Sequence, residues 1–246
     1  MGKLKILVIG DSCVDEFIYC DIERICPEAP VPVLKPIRSS INLGMASNVI
    51  NNLESLGVEA DIITNISEIT KIRYIDTRSG QMVMRVDKND ECEKYHGDTY
   101  DAVDYDAIII SDYCKGFLTE DDIVAWAERA KCPIFLDTKK QLGEWCKDID
   151  YIKINEFEHK KNFERIPNYP KLINKLIITR GSKGCEYINK LYPVPKVPIK
   201  DVSGAGDTFL AGLVVEYLKE NNIEQAIKFA NKCATKVVQK RGVNII

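Results

Sequence analysis

The chain has few of the side chains that build metal centres. It contains two histidines, and its nine cysteines are spread along the sequence without a Cys-x-x-Cys pair. Zinc sites and disulfide frameworks depend on paired or regularly spaced cysteines and histidines. The cysteines are therefore expected to be reduced thiols, as is usual in the cytosol.

A strong excess of charge and a long apolar run are also lacking. Lys and Arg number 34 against 37 Asp and Glu, so the net charge is -3, and no block of basic residues occurs. Nucleic acid is therefore not an expected partner. The apolar run Ile6–Ile9 is too short for a signal peptide, and no run reaches transmembrane length. The sequence predicts a cytoplasmic protein with no membrane partner.

Short apolar segments alternate with helical patterns along most of the chain. Strands alternating with helices predict an α/β fold with a mostly parallel central sheet and helices on both faces, here as a single domain over residues 1–246. Two amphipathic helices are predicted at about 205–220 and 222–240. The segments suited to buried strands are Leu4–Ile9, Asp61–Thr64, Ala107–Ile110, Ile134–Leu136, Tyr151–Ile154 and Leu176–Thr179.

Two segments depart from this alternation. Residues 15–38 carry four prolines among β-forming residues, which suits an edge strand or a flap. Residues 70–88 are typical of two strands around a turn at Arg78-Ser-Gly80. Together they predict a small β-sheet lid over one edge of the core, with ordinary surface hairpins as the alternative. The acidic residues 88–104 are expected to form a solvated connection.

The clearest chemical signal is Asp201-Val-Ser-Gly-Ala-Gly-Asp-Thr208, which leads into the first of the two predicted carboxy-terminal helices. Two glycines allow a tight turn, and the helix amino terminus adds partial positive charge, so the turn suits an anion such as a phosphate. Asp207 lies where it could accept a proton from an attacking hydroxyl. A Gly-x-Gly-Asp turn is also a common way to begin a helix, and that alternative stays open from the residues alone.

This stretch resembles the carboxy-terminal signature of the ribokinase-like (PfkB) carbohydrate kinases. Four further blocks are similar to the D-glycero-D-manno-heptose 7-phosphate kinase branch of that family, in the same order: Gly10–Asp15, Arg24–Val33, Ser111–Gly116 and Asp137–Lys139. The resemblance implies a ribokinase-like fold, with ATP and Mg²⁺ as cofactors.

The resemblance also implies roles for individual residues. Gly204, Ala205, Gly206 and Asp207 match the family's anion hole and catalytic base. Asn155 and Glu158 match an N-x-x-E element that places a hydrated Mg²⁺, although the same pattern is a common helix cap. The residues implied at the nucleotide are Thr179, Arg180, Gly181, Lys183 and Gly184, whose sequence is also a good turn between strands, and Asn231 near the adenine.

On the acceptor side, Asp15 and Asn48 match positions that bond sugar hydroxyls, Asp11 is a candidate to assist them, and Gly44 allows close approach to the sugar. The cations expected at a phosphate of the acceptor are Arg24, Arg85 and Lys115. The resemblance thus predicts a sugar or sugar-phosphate substrate. Its specific prediction is heptose 7-phosphate, phosphorylated at the anomeric hydroxyl. The resemblance further allows a homodimer formed through the lid.

Three features depart from the family's pattern. Leu43 stands where the family has the first glycine of a Gly-Gly pair, so lid closure or sugar fit is expected to differ. The stretch between Thr64 and Thr70 is short, which indicates that an edge unit of the sheet is missing. The His-x-Gly-His motif of a fused nucleotidyltransferase is absent. The alternatives are a PfkB kinase of another sugar or of a nucleoside, and a non-catalytic homologue that binds nucleotide or sugar.

Overall fold

Two β-sheets organise the protein, whose computed structural model describes residues 3–97 and 104–246. In chain order the elements are β1 (Lys5–Gly10), β2 (Ser12–Ile25), β3 (Pro32–Met45), α1 (Ala46–Ser55), β4 (Glu59–Ile63), β5 (Thr70–Asp76), β6 (Met82–Lys88), β7 (Ala107–Asp112), α2 (Glu120–Arg129), β8 (Ile134–Thr138), β9 (Tyr151–Asn155), α3 (Glu156–Asn162), α4 (Pro170–Ile173), β10 (Leu176–Thr179), β11 (Cys185–Tyr187), β12 (Lys190–Tyr192), α5 (Ala205–Glu220) and α6 (Ile223–Val237).

The large sheet has the strand order β12-β11-β10-β9-β8-β7-β1-β4. Its strands from β10 to β4 run parallel, and β11 and β12 add an antiparallel hairpin at one edge. Parallel strands are buried on both faces, which explains the continuous apolar runs in the sequence. The predicted α/β fold with helices on both faces of a mostly parallel sheet is confirmed.

A separate core packs on each face of this sheet. Alternate residues of β1 and β7 point to opposite sides, so Ile6 and Ile109 pack with α1, α5 and α6. On the other side Leu7 and Ile108 pack with α2, where Trp126 is the largest fully buried side chain. Each core fixes the carboxyl ends of the central strands against the helices that follow them.

The second sheet has four strands in the order β3-β2-β5-β6. Pro32 and Pro36 lie in β3 at the sheet edge, where a missing N–H costs no ladder bond, and the interior strand β2 contains no proline. The pairing of β2 with β3 is irregular beside Pro36. The strands predicted in 70–88 are β5 and β6. Of the predicted connection 88–104, residues 98–103 lie outside the described ranges.

The two faces of the second sheet have opposite character, because paired residues of neighbouring strands point to the same side. The register places charged and polar residues on one side, here called the inner face: Asp15, Asn42, Lys71, Arg73, Arg85 and Asp87. The other side, here called the outer face, carries Val14, Ile18, Ile41, Leu43, Ile72, Met84 and Val86. No helix in the described ranges has the length and apolar character needed to cross a lipid bilayer.

Candidate active site

The candidate site lies at the carboxyl ends of the parallel strands, where open α/β sheets bind their ligands. Asp11 follows β1, Tyr113 follows β7, Asp137 lies near the end of β8, and Asn155 ends β9. The first turns of α1 and α5 approach the same edge, since Asn48 of α1 donates to Asp207 of α5. Side chains distant in sequence therefore converge on one carboxylate.

Asp207 is 3% exposed, and both of its oxygens accept a hydrogen bond. Asn48 Nδ2 donates to Oδ2 at 2.8 Å, and the Tyr113 hydroxyl donates to Oδ1 at 2.6 Å. Burial raises the pKa of the Asp207 carboxyl, while these two hydrogen bonds act in the opposite direction. A carboxyl with a raised pKa is a stronger base once ionised.

The turn before Asp207 leaves no room for side chains. Gly204 has φ +77°, a left-handed conformation, and a Cβ there would lie 2.6 Å from Asn48 Nδ2. A Cβ on Gly206 would lie 3.2 Å from Lys153 Nζ. The backbone can therefore approach a ligand closely, and N–H groups in the first turn of α5 have no partner within the helix. This geometry suits phosphate oxygens.

A buried ion pair lies directly beneath this turn. Lys153 of β9 pairs with Asp137 of β8, and both side chains are almost fully buried. Asp137 Oδ1 is also buried and has no hydrogen-bond partner among the described residues. A fixed positive charge next to Gly206 strengthens the attraction of the turn for anions.

A cavity of about 550 Å³ extends from this turn between α5 and α6. Its walls are mostly apolar, and its size and character suit the base of a nucleotide. Five residues predicted at the nucleotide line it, namely Thr179, Gly181, Lys183, Gly184 and Asn231. The apolar part of the lining includes Val202, Phe209 and Val238, to which the sequence analysis gave no role.

Arg180 does not join the residues that line this cavity. Its guanidinium pairs with Glu186 at 2.8 Å and with Glu156 at 3.7 Å, which ties β11 to the start of α3. The Asn231 amide donates to the Tyr192 carbonyl at 2.9 Å, so one of its hydrogen bonds holds the cavity wall. The cationic side chain of this loop at the cavity is thus Lys183 rather than Arg180.

Asn155 and Glu158 form a complete capping box at the start of α3. Glu158 N donates to Asn155 Oδ1 at 2.9 Å, and Asn155 N donates to Glu158 Oε2 at 2.7 Å. Lys139 also pairs with the Glu158 carboxylate. The capping alternative is therefore present in the structure, and it holds both side chains at the edge of the sheet where the strands end.

The oxygen donors in this region fit a cation that keeps most of its water. Within residues 3–97 and 104–246, no three His, Cys, Asp or Glu side chains converge as a metal cage. A carboxylate at Glu158, an amide at Asn155 and the unpartnered Oδ1 of Asp137 remain as hard oxygen ligands. Mg²⁺ is usually held by one or two carboxylates together with substrate phosphates, so the sparse set is sufficient.

On the acceptor side, Asp15 is buried on the inner face and pairs with Arg73. A Cβ on Gly44 would lie 2.4 Å from Asp15 Oδ2, so only glycine allows β3 to pass this close. Asn48 is fully buried, with its Nδ2 committed to Asp207 and its Oδ1 accepting from Asn52 at 3.2 Å. Asn48 thus lies beside the candidate base, and Asp15 lies on the inner face against Gly44 and Arg73.

The carboxylate oxygens of Asp11 are occupied by hydrogen bonds to a loop and are not free to bind a sugar. Its carboxylate accepts the N–H groups of Tyr113 at 2.6 Å and Phe117 at 3.3 Å, and it is 1% exposed. Burial and the nearby Asp112 raise its pKa. The structure therefore gives Asp11 the task of positioning residues 113–117.

Cations gather where the acceptor side meets the inner face. Arg85 pairs with Asp87, and Lys115 pairs with Asp90. Lys71 is 8% exposed, and its Nζ forms no ion pair or hydrogen bond among the described residues. Burial lowers the Lys71 pKa, Cys13 and Asp15 act in the opposite direction, and Arg85 and Lys115 lower it further. Arg24 does not join them, because it lies nine residues beyond Asp15 on β2, roughly 30 Å along the strand.

The Leu43 side chain projects from the outer face and is exposed. Its neighbours in β3, Asn42 and Gly44, occupy the inner side, where Asn42 donates to the Val243 carbonyl at 2.8 Å. The substitution of the family's first glycine therefore adds no side chain beside Asp15. Its direct effect is on the outer face.

Sequence reasoning missed several residues of this site. Lys153 interrupts the buried apolar strand β9, and a lysine in such a strand signals a partner or a ligand. Lys71 and Arg73 alternate along β5, which places both on one face. Tyr113 lay in a block that was singled out, but only Lys115 of that block received a role. Nothing in the sequence indicated that its phenol would reach α5.

Solved structures with the same fold include a ribokinase from Arabidopsis thaliana complexed with ribose and ATP, at a TM-score of 0.73 and 15% identity, covering 98% of this chain and 94% of that one. A nucleoside kinase from Methanocaldococcus jannaschii has a TM-score of 0.71 and 16% identity, covering 99% and 94%. The fold is thus that of the ribokinase-like kinases, enzymes that transfer phosphate to a hydroxyl group.

The sequence comparisons specify the family within that class. A profile described as pfkB family carbohydrate kinase matches residues 99–246, more than half of the chain. The bifunctional protein HldE of a Nitratiruptor species is 30% identical over 289 aligned positions, which cover 98% of this chain and 62% of that protein. The chain thus spans about 62% of the length of the curated relatives that it matches. The chain belongs to the pfkB family of carbohydrate kinases.

Proposed function

We propose that the protein uses ATP to phosphorylate a sugar that already carries a phosphate, with heptose 7-phosphate as the acceptor and its anomeric hydroxyl as the reacting group. The observation that carries the proposal is the side chain of Lys71, which is 8% exposed, forms no ion pair among the described residues and lies near Arg85 and Lys115. The resemblance of the sequence to heptose 7-phosphate kinases supports the particular sugar.

The environment of Lys71 disfavours its positive charge. Burial and the like charges of Arg85 and Lys115 disfavour the Lys71 ammonium, and Cys13 and the Asp15 carboxylate offset part of that cost. A phosphate dianion bound among the three would relieve this cost and would accept hydrogen bonds from all of them. A neutral sugar could not do so. The cluster therefore supports a phosphorylated acceptor.

The aromatic rings of the second sheet argue against a nucleoside acceptor. Phe17 is 2% exposed with the Arg73 guanidinium 5.2 Å from its ring centre. Arg38 lies 3.6 Å above the ring of Tyr19. Both rings thus already have a guanidinium as a neighbour. The inner face thus suits an anionic, hydroxyl-rich ligand better than an aromatic one.

In the proposed mechanism, the nucleotide base lies in the cavity between α5 and α6, and the terminal phosphate reaches the turn Gly204–Asp207. The first turn of α5 and Lys153 hold the phosphate oxygens. Asp207 accepts the hydrogen bond of the acceptor hydroxyl and orients it, which matters more than basic strength in a loose transition state. Asn155, Glu158 and Asp137 would hold Mg²⁺, which would neutralise charge on the phosphates.

The second sheet would act as the lid of this site. Its inner face carries Asp15, Lys71 and Arg85, and its residues 42–45 lead directly into α1, which holds Asn48. Closing this sheet over the acceptor would exclude water and strengthen the charge interactions inside. The proposal treats residues 1–246 as one kinase domain with this lid.

The first test measures ADP formation with heptose 7-phosphate, free heptose, fructose, fructose 6-phosphate and adenosine as separate acceptors. We expect turnover with heptose 7-phosphate, which Asp207→Asn abolishes while nucleotide binding by calorimetry is retained. Turnover with unphosphorylated sugars or adenosine alone would overturn the acceptor assignment. Unchanged turnover in Asp207→Asn would overturn the role of the carboxylate.

The second test isolates the phosphate cations through Lys71→Met, which keeps the length of the side chain and removes its charge. We expect KM for the phosphorylated acceptor to rise roughly 10- to 100-fold, the effect of losing one charge-assisted hydrogen bond. KM for ATP should stay unchanged. Lys88→Met is the matched control, because Lys88 is exposed at the end of β6. Equal effects of the two variants would contradict the assignment.

A further inference from the structure

Tyr113 occupies one of the hydrogen-bonding positions on Asp207, the candidate base. Its phenol donates a 2.6 Å hydrogen bond to Asp207 Oδ1, which is the contact that a sugar hydroxyl needs before transfer. Burial and the neighbouring Asp207 raise the pKa of the phenol well above its ordinary value, so it remains a protonated donor. With Asn48 on the other oxygen, each oxygen of the carboxylate already accepts one hydrogen bond and keeps one further lone pair.

The two donors on Asp207 differ in how firmly they are held. Asn48 is fully buried inside α1 and is tied to Asn52, so its position is part of the core. Tyr113 is partly exposed and lies in a surface loop whose next residue, Cys114, is exposed and has φ +57°; Asp11 holds the backbone N–H of Tyr113 and not its side chain. An incoming hydroxyl can therefore reach Asp207 by replacing Tyr113, but not by replacing Asn48.

The ring of Tyr113 also lies near one lysine on the proposed acceptor side and one lysine on the proposed nucleotide side. Lys71 Nζ, of the proposed acceptor cluster, lies 5.5 Å from the centre of its ring. Lys139 Nζ, which pairs with Glu158, lies 5.1 Å from the same ring centre. These two cations hold the ring by attraction to its face. A phosphate that draws Lys71 away would weaken one of the two contacts and favour departure of the ring.

We propose that Tyr113 occupies the place of the acceptor hydroxyl on Asp207 until the sugar binds, and so prevents the enzyme from activating water. The inference rests on the proposed function of Asp207 as the base. Without a block, a water on Asp207 would give its proton to the carboxylate while its oxygen bonds to the terminal phosphorus. The bond from that phosphorus to the bridging oxygen would break, and ADP and phosphate would be released without product.

The opposing possibility is that Tyr113 stays on Asp207 throughout the reaction and only orients it. In that case removing the phenol would harm transfer itself. The two roles predict different signs for acceptor-free ATP hydrolysis, and this difference makes them separable by experiment.

The experiment uses the full chain with Tyr113→Phe, which keeps the ring and both lysine contacts and removes only the hydroxyl. We expect ADP release from MgATP without acceptor to rise roughly tenfold, as for the loss of one hydrogen bond to a charged group. The kcat for the acceptor should be unchanged, and its KM should stay equal or fall. Tyr105→Phe is the matched control, because that phenol donates to the exposed Asp61 carboxylate at 2.8 Å.

The pH profile gives a second readout. Asp207 interacts with Tyr113, with Asn48 of α1, with Asp137 of β8 and Lys153 of β9, and with Cys13 and Lys139. The Tyr113 hydrogen bond lowers the pKa of Asp207, so its loss should move the acid limb of kcat/KM to higher pH. The acid limb of kcat, which reports the bound complex, should not move if the sugar has already displaced the phenol.

Unchanged hydrolysis with a lowered kcat, or equal shifts of both acid limbs, would overturn the proposal. Failure of the proposed function would look different. The wild-type protein would then phosphorylate none of the acceptors, and Asp207→Asn would leave the hydrolysis of Tyr113→Phe unchanged.

Discussion

Asp207 illustrates at the residue scale how a functional group lowers the stability of the fold around it. Burial raises its pKa above the ordinary aspartate value, so the folded state binds its proton more tightly than the unfolded state does. The raised pKa contributes stability that is present at low pH and is lost as pH rises through the folded pKa. At neutral pH the ionised carboxylate therefore destabilises the protein.

Asp207→Asn should accordingly raise the free energy of unfolding at pH 7 while it abolishes turnover. An asparagine can still accept from Asn48 and donate to the Tyr113 oxygen, so its hydrogen bonds can be satisfied. The measurement is urea unfolding of wild type and variant from pH 4 to pH 8. The difference should grow with pH and then level off. A variant that is less stable at every pH would refute the predicted cost of the buried charge.

The sequence could predict the residues of this site that belong to contiguous motifs, and it could not predict the contacts between them. Asp207 and Gly206 were found because a Gly-x-Gly-Asp turn has local meaning. Lys71 became significant only because β5 pairs in parallel with β2, which sets its side chain beside Asp15. The pairing of Lys153 with Asp137 likewise depends on the register of two strands. Side-chain partners of this kind are decided by tertiary structure.

At the scale of the element, α3 combines a structural cap with a proposed place at the cofactor. Asn155→Ala removes the acceptor for Glu158 N and should cost about 1 kcal/mol of stability. It should also weaken MgATP binding, because Asn155 is a proposed ligand through water. Thermal and urea unfolding measure the first effect, and titration with MgATP measures the second.

Asn222→Ala is the matched control for that variant. Asn222 caps α6 by accepting from Gln225 N at 3.1 Å, and α6 begins where α5 has ended, away from the strand ends. Both variants should lose similar stability, and only Asn155→Ala should lose affinity for MgATP. Equal affinities in the two would show that Asn155 is a helix cap and nothing more.

Elements with a strong internal pattern were predicted well, whereas the long strands of the second sheet were not. The helix predicted at 205–220 matches α5, because its apolar residues repeat at helical spacing. Strand β3 continues to Met45, although residues 39–45 were assigned no strand and Leu43 was interpreted only as the replacement of a glycine before the first long helix. That segment becomes a strand because β2 pairs with it along its whole length. Such pairing overrides weak local preference.

At the scale of the whole molecule, the edge unit that the sequence predicts to be missing would lie at one edge of the large sheet. Strand β4 forms one edge, and only residues 64–69 connect it to β5 of the second sheet. The alignment with the Nitratiruptor protein has 289 positions, more than the 246 residues of this chain, so that relative carries additional residues within the matched region. The sequence had predicted a missing edge unit at this point.

The outer face of the second sheet has no role in the proposed chemistry. It exposes Ile41, Leu43, Met84 and Val86 together, and contiguous apolar surface of this kind usually marks an interface. We propose that a second copy of the chain covers it, so that two second sheets pack face to face. Leu43 would then contribute to the interface that the family's glycine could not fill.

Ile41→Asp tests this dimer, because Ile41 is 66% exposed and a charge there would be buried on association. We expect sedimentation equilibrium to show a dimer for the wild type and a monomer for the variant. Ile66→Asp is the control, since Ile66 is 95% exposed in the connection between the sheets and should leave the dimer intact. A wild-type protein that stays monomeric at tens of micromolar, or a dimer that survives Ile41→Asp, would rule out this face as the contact. In the dimer, each outer face is buried and each inner face is directed at Asp207 of its own chain. The inner face carries proposed acceptor residues, whereas the nucleotide cavity lies between α5 and α6. We therefore expect loss of the dimer to raise KM for the acceptor more than KM for ATP.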